Sequence, residues 1–172
     1  GDHITRVLVP LATSQAEYVN TLLFLEQAFV GQCGFDLRIR PHPSGLSFED
    51  ALEVAPLVDQ DFYSESTGSI ADALQWADLV LYASSTVCLE AVSLGIPVMY
   101  IDLGFHVDTD PMFGWSEFKW PVKEPSEVVS TIKYIESIPA DRFRQLQRNG
   151  RDYASAYLKP VTAEGLRVFW ED

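Results

Sequence analysis

Three hydroxyl side chains and one carboxylate lie close together in the middle of the chain. Ser84, Ser85 and Thr86 follow the apolar run 79–82, and Glu90 comes four residues after Thr86. Hydroxyls and backbone N–H groups at the start of a helix can donate to an anion such as phosphate. A carboxylate one turn further along can accept hydrogen bonds from the vicinal diol of a ribose. The pattern predicts a site for a nucleotide or a nucleotide sugar.

Two more groups of polar residues could face this turn. Thr13 and Ser14 follow the first apolar run of the chain, and Arg40 and His42 flank a proline further on. Hydroxyls, a guanidinium and an imidazole can all donate to phosphate. Each has a structural alternative, because hydroxyls also cap helices and Arg40 could pair with a nearby aspartate. His42 could be an ordinary loop residue, and Glu90 a solvated helix residue.

Alternating strands and helices must position these groups. Short apolar or alternating runs predict strands at 7–12, 35–40, 61–63, 79–82, 98–101 and 118–122. Helical periodicity and capping residues predict helices at 15–30, 47–55, 69–77, 86–94, 125–138, 140–158 and 161–169. We therefore expect an α/β fold, a single Rossmann-like domain over 1–172 with a doubly wound parallel sheet of about six strands.

The strand order of such a sheet predicts where a ligand binds. In the order 3-2-1-4-5-6 the switch point lies between the first and fourth strands, and ligands bind outside the carboxyl ends of the strands there. Thr13 and Ser14 would then face Ser84 to Thr86 across a crevice. The long loop 104–117 follows the fifth strand, and we expect its His106, Asp108 and Asp110 to form ordinary polar surface.

Composition excludes several functions. Acidic residues outnumber basic ones 25 to 12, and a formal charge of −13 disfavours binding to nucleic acid. Cys33 and Cys88 are too far apart and too few for a zinc site, and no long apolar span predicts a transmembrane segment. We expect a cytoplasmic protein. A start at Gly1 without methionine favours a domain excised from a longer protein.

Five short motifs follow one another in a fixed order and together suggest a family. They are Arg-Pro-His-Pro at 40–43, Ala-Asp-Leu-Val at 77–80, Ser-Ser-Thr-Val at 84–87, Leu-Glu-Ala at 89–91 and Gly-Ile-Pro-Val at 95–98. With these motifs the chain resembles the C-terminal, donor-nucleotide-binding half of a GT-B-fold glycosyltransferase. It is most similar to bacterial capsule and surface-polysaccharide transferases that carry a His-Pro motif, and the resemblance covers about 7–158.

The resemblance implies roles for the polar residues. His42 and the turn from Ser84 to Thr86 would bind the donor phosphate, and Glu90 would bind the ribose. Arg40, Thr13 and Ser14 are predicted as further phosphate contacts. The substrate would be a CMP-, CDP- or UDP-linked sugar, with no cofactor and no metal.

The same resemblance implies that part of the enzyme is elsewhere. In the family the acceptor-side base belongs to an N-terminal domain, so no catalytic residue can be assigned here and the isolated chain should be inactive. The full-length protein could associate peripherally with the inner membrane face. Two alternatives stay open: a non-catalytic Rossmann-like interaction module, and half of a nucleotide-sugar 2-epimerase. The epimerase is disfavoured because Ser-Ser-Thr replaces the usual Gly-Gly turn.

Overall fold

A six-stranded parallel sheet forms the centre of the domain. The computed structural model describes residues 3–45, 47–55 and 57–159. Its strands are β1 (Arg6–Pro10), β2 (Asp36–Arg40), β3 (Ser64–Glu65), β4 (Leu79–Tyr82), β5 (Val98–Ile101) and β6 (Lys119–Val122). Every neighbouring pair is parallel, and the order is β3-β2-β1-β4-β5-β6. The predicted fold class and strand order are confirmed.

One predicted strand was misplaced. The sequence predicted a strand at 61–63, but β3 begins at Ser64 and residues 61–62 form a turn. Phe62 and Tyr63 are half-buried and make an edge-to-face ring contact with centroids 4.8 Å apart. These aromatic residues pack against the core from a turn. Because aromatic residues are also common in strands, the sequence pattern alone suggested a strand here.

Helices cover both faces of the sheet. They are α1 (Gln15–Phe29), α2 (Phe48–Val54), α3 (Ile70–Trp76), α4 (Val87–Leu94), α5 (Glu127–Ser137) and α6 (Ala140–Tyr157). All six lie within two residues of their predicted bounds. The Ser69 hydroxyl caps α3 by accepting from the Asp72 N–H at 3.1 Å, as expected for its capping motif. The predicted helix at 161–169 lies outside the described residues.

The core is divided between the two faces. Val7 and Val9 of β1 pack with α1 and α5, whereas Leu8 packs on the opposite face with α3, α4 and α6. All four residues of β4 are buried, as expected for a central parallel strand covered on both sides. Close packing of α6 needs Gly150, because a Cβ there would lie 2.9 Å from Cγ1 of Val92.

Asp78 links β1 and β4 at their amino ends. Its Oδ2 accepts from the backbone N–H groups of Thr5 at 3.1 Å and Arg6 at 2.9 Å, and its Oδ1 contacts the Arg6 guanidinium at 2.5 Å. Burial alone would raise the pKa of Asp78, but the hydrogen bonds from Arg6 and Thr5 outweigh it and hold that pKa below its ordinary value. The carboxylate therefore helps to align the two strands that border the switch point.

We expect Asp78→Asn to lower the free energy of unfolding by about 1–2 kcal/mol at neutral pH. Because folding lowers the pKa of Asp78, its stabilisation is fully present when the pH is above the ordinary carboxyl pKa. The stabilisation is lost as the pH falls through the pKa that Asp78 has in the folded protein. Urea unfolding should therefore show the variant and the parent converging as the pH falls to about 3 and below.

The matched control is Asp141→Asn, which removes an ion pair with Arg144 from a side chain that is 93% exposed. That change should cost less than about 0.5 kcal/mol. A loss in Asp78→Asn that stays constant with pH would contradict the electrostatic origin of the effect.

Candidate functional site

A crevice opens at the carboxyl ends of β1 and β4. The Ser84 hydroxyl, in the loop after β4, donates to Oε1 of Glu17 on the first turn of α1 at 2.5 Å. This hydrogen bond crosses from one side of the switch point to the other. The structure thus brings the β4–α4 loop and the start of α1 together, at the place where open α/β sheets bind ligands.

The hydroxyls at the two helix starts do not act as caps. Ser14 is the N-cap residue of α1 and Thr86 that of α4, and neither side chain makes a cap hydrogen bond. Thr13, Ser14 and Thr86 are exposed, whereas Ser85 is buried and its Oγ accepts from the Val87 N–H at 3.4 Å. The capping alternative therefore does not account for Ser14 or Thr86.

The loop that carries His42 lies beside the β1–α1 connection, on the side of β2 and β3. Nδ1 of His42 accepts from the Ser44 N–H at 3.1 Å, which leaves Nε2 as the ring nitrogen that can donate. A Cβ added to Gly45 would lie 3.5 Å from the carbonyl oxygen of Ala12, so the loop packs against the β1–α1 connection. A groove of about 370 Å³ runs past His42 and is also lined by Arg40, Glu65 and Gly68.

Arg40 and His42 are the basic side chains at this groove. The Arg40 Nη2 donates to the carbonyl of Gly68 at 2.8 Å, and not to an aspartate as the sequence had suggested. Three other basic residues that lie before the last helix are engaged elsewhere: Arg38 over the Trp76 ring, Lys119 with Asp110, and Lys123 with Asp102. Positive charge near the crevice is therefore sparse.

Glu90 lies on the solvent side of α4. Its neighbours Leu89 and Ala91 are buried in the core, but Glu90 itself is exposed. It follows Thr86 by one helical turn on the helix whose N-terminus borders the crevice. Its exposure agrees with the alternative of a solvated helix residue, and it also leaves the carboxylate accessible to a ligand.

The loop between β5 and β6 is held by a buried ion pair. We expected Asp110 to be surface, but it is 5% exposed and its Oδ2 contacts Nζ of Lys119 at 2.5 Å. Its Oδ1 accepts from the Tyr82 hydroxyl at 2.7 Å and from the Met112 N–H at 2.9 Å. The expectation was wrong because Tyr82 and Lys119, 28 and 9 positions away, and the nearby Met112 N–H satisfy the buried carboxylate.

The Tyr82 hydroxyl and the Cys88 thiol, close to Asp110, stay protonated. Burial, with Cys88 and Asp110 nearby, raises the pKa of Tyr82. Burial likewise raises the pKa of Cys88 to about 12. Tyr82 is therefore a hydrogen-bond donor to Asp110, and Cys88 is no nucleophile.

A second cavity lies beside the Ser84 turn. It has a volume of about 290 Å³ and is lined by Ala83, Tyr100, Asp102, His106 and Asp108 among others. Since the buried ion pair holds the loop that forms one wall, His106 and Asp108 are kept at the carboxyl edge of the sheet. Another cavity, of about 430 Å³, lies at the opposite edge around Asp78 and Glu136. It contains none of the predicted site residues.

The sequence analysis did not identify Glu17. It is 6% exposed, although its position between Ala16 and Tyr18 in a predicted amphipathic helix suggested no special environment. The sequence feature that could have identified Glu17 is an acidic residue on the first turn of the helix that follows β1 at the switch point. Its burial depends on Ser84, which lies 67 positions away.

The described part of the chain contains neither a metal-binding cluster nor a membrane-spanning helix. Within 3–45, 47–55 and 57–159, no group of three or more His, Cys, Asp or Glu side chains is placed to hold a metal ion. None of the helices in that part of the chain is both long and apolar enough to cross a membrane.

Comparison with known proteins shows the fold. No protein-family model and no curated protein matches the chain. Among solved structures, a glycosyltransferase from Rickettsia africae matches with a TM-score of 0.63 and 13% identity, over 91% of this chain and 44% of its own. HepE from Anabaena, solved with UDP-glucose, matches with a TM-score of 0.60 and 13% identity, over 88% and 44%.

A third match is a single domain. The C-terminal domain of LpcC, a group 1 family glycosyl transferase from Francisella tularensis, has a TM-score of 0.54 and 14% identity, over 92% of this chain and 87% of that domain. The chain thus spans less than half of the two longer structures and nearly all of this one. It has the Rossmann-like fold of one half of a GT-B glycosyltransferase.

We expect Lys119→Met to lower the free energy of unfolding by about 3–5 kcal/mol, because it leaves the buried Asp110 carboxylate without its cation. The double variant Asp110→Asn/Lys119→Met should recover part of that loss, since it removes both charges. Urea unfolding followed by tryptophan fluorescence measures both.

Lys123→Met serves as the control. Its Nζ lies 3.4 Å from Asp102, but the side chain is 74% exposed. Removing this solvated pair should cost less than about 1 kcal/mol. Equal losses in Lys119→Met and Lys123→Met would show that burial of the first pair has no energetic consequence.

Proposed function

We propose that this chain is the donor-binding half of a glycosyltransferase, which holds a nucleotide-activated sugar for transfer to a glycan or surface-polysaccharide acceptor. The observation that carries the proposal is the crevice at the switch point. The N-termini of α1 and α4 border it, the exposed Glu90 lies one turn from it, and the His42 loop packs against the β1–α1 connection beside it. The fold match to glycosyltransferases, one of them solved with UDP-glucose, supports the same interpretation.

The phosphates would be bound mainly by neutral donors. The N–H groups of Val87 and Cys88 bond to the Ser85 side chain and carbonyl at 3.4 and 3.3 Å, and that of Leu89 bonds to the Thr86 carbonyl at 3.0 Å. The helix dipole is therefore what favours an anion at the start of α4. Thr86 and Ser14 supply hydroxyls that are not used as caps, and Nε2 of His42 supplies a donor from the opposite loop. Arg40 is the nearby permanent cation, with guanidinium N–H groups left over after its bond to Gly68.

Glu90 would bind the ribose. An exposed carboxylate one turn beyond the phosphate-binding helix start can accept from both hydroxyls of a vicinal diol. This contact needs a nucleotide whose diphosphate faces the N-terminus of α4. The base could be cytosine or uracil, and the family resemblance favours a cytidine nucleotide.

The same groups would assist the reaction by stabilising the leaving group. When the bond from the sugar to the nucleotide phosphate breaks, negative charge grows on that phosphate. Donors already aimed at it, at the start of α4 and on His42, stabilise this charge without reorganisation. The acceptor site and the catalytic base would belong to an N-terminal domain of the same protein, so the chain alone would bind the donor without turnover. The whole enzyme would work in the cytoplasm, with peripheral contact to the inner membrane face.

One observation favours a second function, that of a non-catalytic interaction module. Phe113 and Val107, in the loop after β5, are 76% and 71% exposed. Phe105 of the same loop is 43% exposed as well, whereas Trp115 stacks on Tyr153 with centroids 4.5 Å apart and Phe118 is fully buried. Exposed apolar side chains on one loop suit a protein contact, either with the other half of a transferase or with a separate partner.

The test is titration calorimetry of the chain with CMP, CDP, UDP and GDP. One nucleotide should bind with a dissociation constant of about a millimolar or tighter. Glu90→Ala and His42→Ala should each weaken that binding by about tenfold, the consequence of losing one hydrogen bond to a charged group.

Matched controls are Asp152→Ala, an exposed acid on α6, and His3→Ala, which pairs with Glu136 at the amino edge. Neither should change nucleotide affinity. If no nucleotide binds to the chain, and none binds to a longer protein that includes its N-terminal half, the glycosyltransferase proposal fails and the interaction module remains.

A further inference from the structure

The hydrogen bond between Ser84 and Glu17 determines what Ser84 can offer a ligand. Glu17, as a carboxylate, only accepts, so the single proton of the Ser84 hydroxyl is directed to Oε1 at 2.5 Å. The lone pairs of the Ser84 oxygen then remain for other partners. In this arrangement Ser84 presents an acceptor, and not a donor, to anything bound in the crevice.

Glu17 itself is a buried charge that the protein leaves without a cation. It is 6% exposed, and none of the ion pairs among the described residues includes it. It could have formed a capping box with Ser14, but that N-cap makes no side-chain bond and the carboxylate extends to Ser84 instead. A buried carboxylate with a single hydroxyl partner can accept further hydrogen bonds. Burying such a group costs free energy unless other donors bond to its remaining lone pairs.

The lone pairs of Ser84 and the carboxylate of Glu17 both disfavour phosphate at this point of the crevice. A phosphate is itself an acceptor and carries negative charge, so it would meet the Ser84 lone pairs and the Glu17 carboxylate unfavourably. A neutral hydroxyl can donate to either oxygen. Among the parts of a nucleotide sugar, the sugar rings carry several such hydroxyls.

We propose that Glu17 and Ser84 form an acceptor subsite that binds a hydroxyl of a sugar ring of the ligand and keeps phosphate away. The proposal rests on the proposed function and refines it. Phosphate binding is assigned to the start of α4, Thr86 and His42, and the Ser84 side chain is assigned to sugar recognition. The sugar is the transferred sugar, or the ribose where Glu90 accepts from only one of its two hydroxyls.

The test compares ligands with and without sugar hydroxyls on two variants, Ser84→Ala and Glu17→Gln. The probes are pyrophosphate, CDP, UDP, their 2′,3′-dideoxy forms and UDP-glucose, titrated calorimetrically. Both variants should weaken the binding of hydroxyl-bearing ligands by about tenfold, and neither should weaken pyrophosphate. Glu17→Gln should bind pyrophosphate equally well or more tightly, because it removes a negative charge from the crevice.

The ligand series separates the two sugars. If the subsite binds ribose, both variants lose affinity for CDP or UDP and have parental affinity for the dideoxy forms. If it binds the transferred sugar, the loss occurs only with UDP-glucose. Glu26→Gln is the control on the same helix: Oε1 of Glu26 accepts from the N–H groups of Val58 and Asp59, so this variant should lose stability without losing affinity.

Two results would overturn the proposal. Equal weakening of pyrophosphate and nucleotides in Ser84→Ala would show that Ser84 donates to phosphate. Unchanged affinities in both variants, together with lowered melting temperatures, would show that the bond only holds two loops together.

Failure of the proposed function has a different signature. If the parent chain binds no nucleotide, saturation-transfer NMR with methyl β-D-ribofuranoside and glucose tests the subsite alone. Sugar binding that both variants abolish would retain the subsite without the nucleotide. Absence of any sugar binding would remove the subsite proposal, and nucleotide titration of a longer protein that includes the N-terminal half would then decide the proposed function.

Discussion

The parallel pairing of β1 with β4 is the constraint on which the site depends. The chain leaves β1 for α1 on one face of the sheet and leaves β4 for α4 on the other, so the two connections diverge and a crevice opens between them. Both helices begin at the same edge because the strands are parallel neighbours. Two positive helix ends are thereby directed to one place without any basic side chain.

This arrangement would allow a strongly acidic domain to bind an anion, as the proposed function requires. With a formal charge of −13, long-range electrostatics oppose the approach of a nucleotide. Helix N-termini and hydroxyls act only over a few ångströms and are little affected by the net charge. The site would therefore bind phosphate weakly and locally, and an enzyme of this design needs sugar and base contacts to supply the remaining affinity.

Local patterns in the sequence predicted the elements and their order, because each strand and helix is specified by its own periodicity and caps. Ser84 to Thr86 and Glu90 could be selected because their neighbours are buried runs whose boundaries are visible in the sequence. Glu17 and Asp110 could not be selected in this way. Their burial depends on Ser84 and on Lys119 with Tyr82, partners that only the folded chain brings near. A solvated acid and a buried acid look alike in sequence when the compensating partner is non-local.

The separation of donors and acceptors in the crevice has a consequence for specificity. The Thr86 hydroxyl and the dipole at the start of α4 would attract the phosphates, whereas the acceptors Glu17 and Ser84 would disfavour them and favour hydroxyls. A ligand that carries both phosphate and sugar can satisfy both groups in one orientation and would leave a buried carboxylate facing an anion in the reverse one. The two groups would select one orientation of the ligand by raising the free energy of the reverse one. The cost of the reverse orientation is larger than the gain from any single correct hydrogen bond. This domain would then determine the orientation of the nucleotide sugar before the domain that binds the glycan acceptor closes over it.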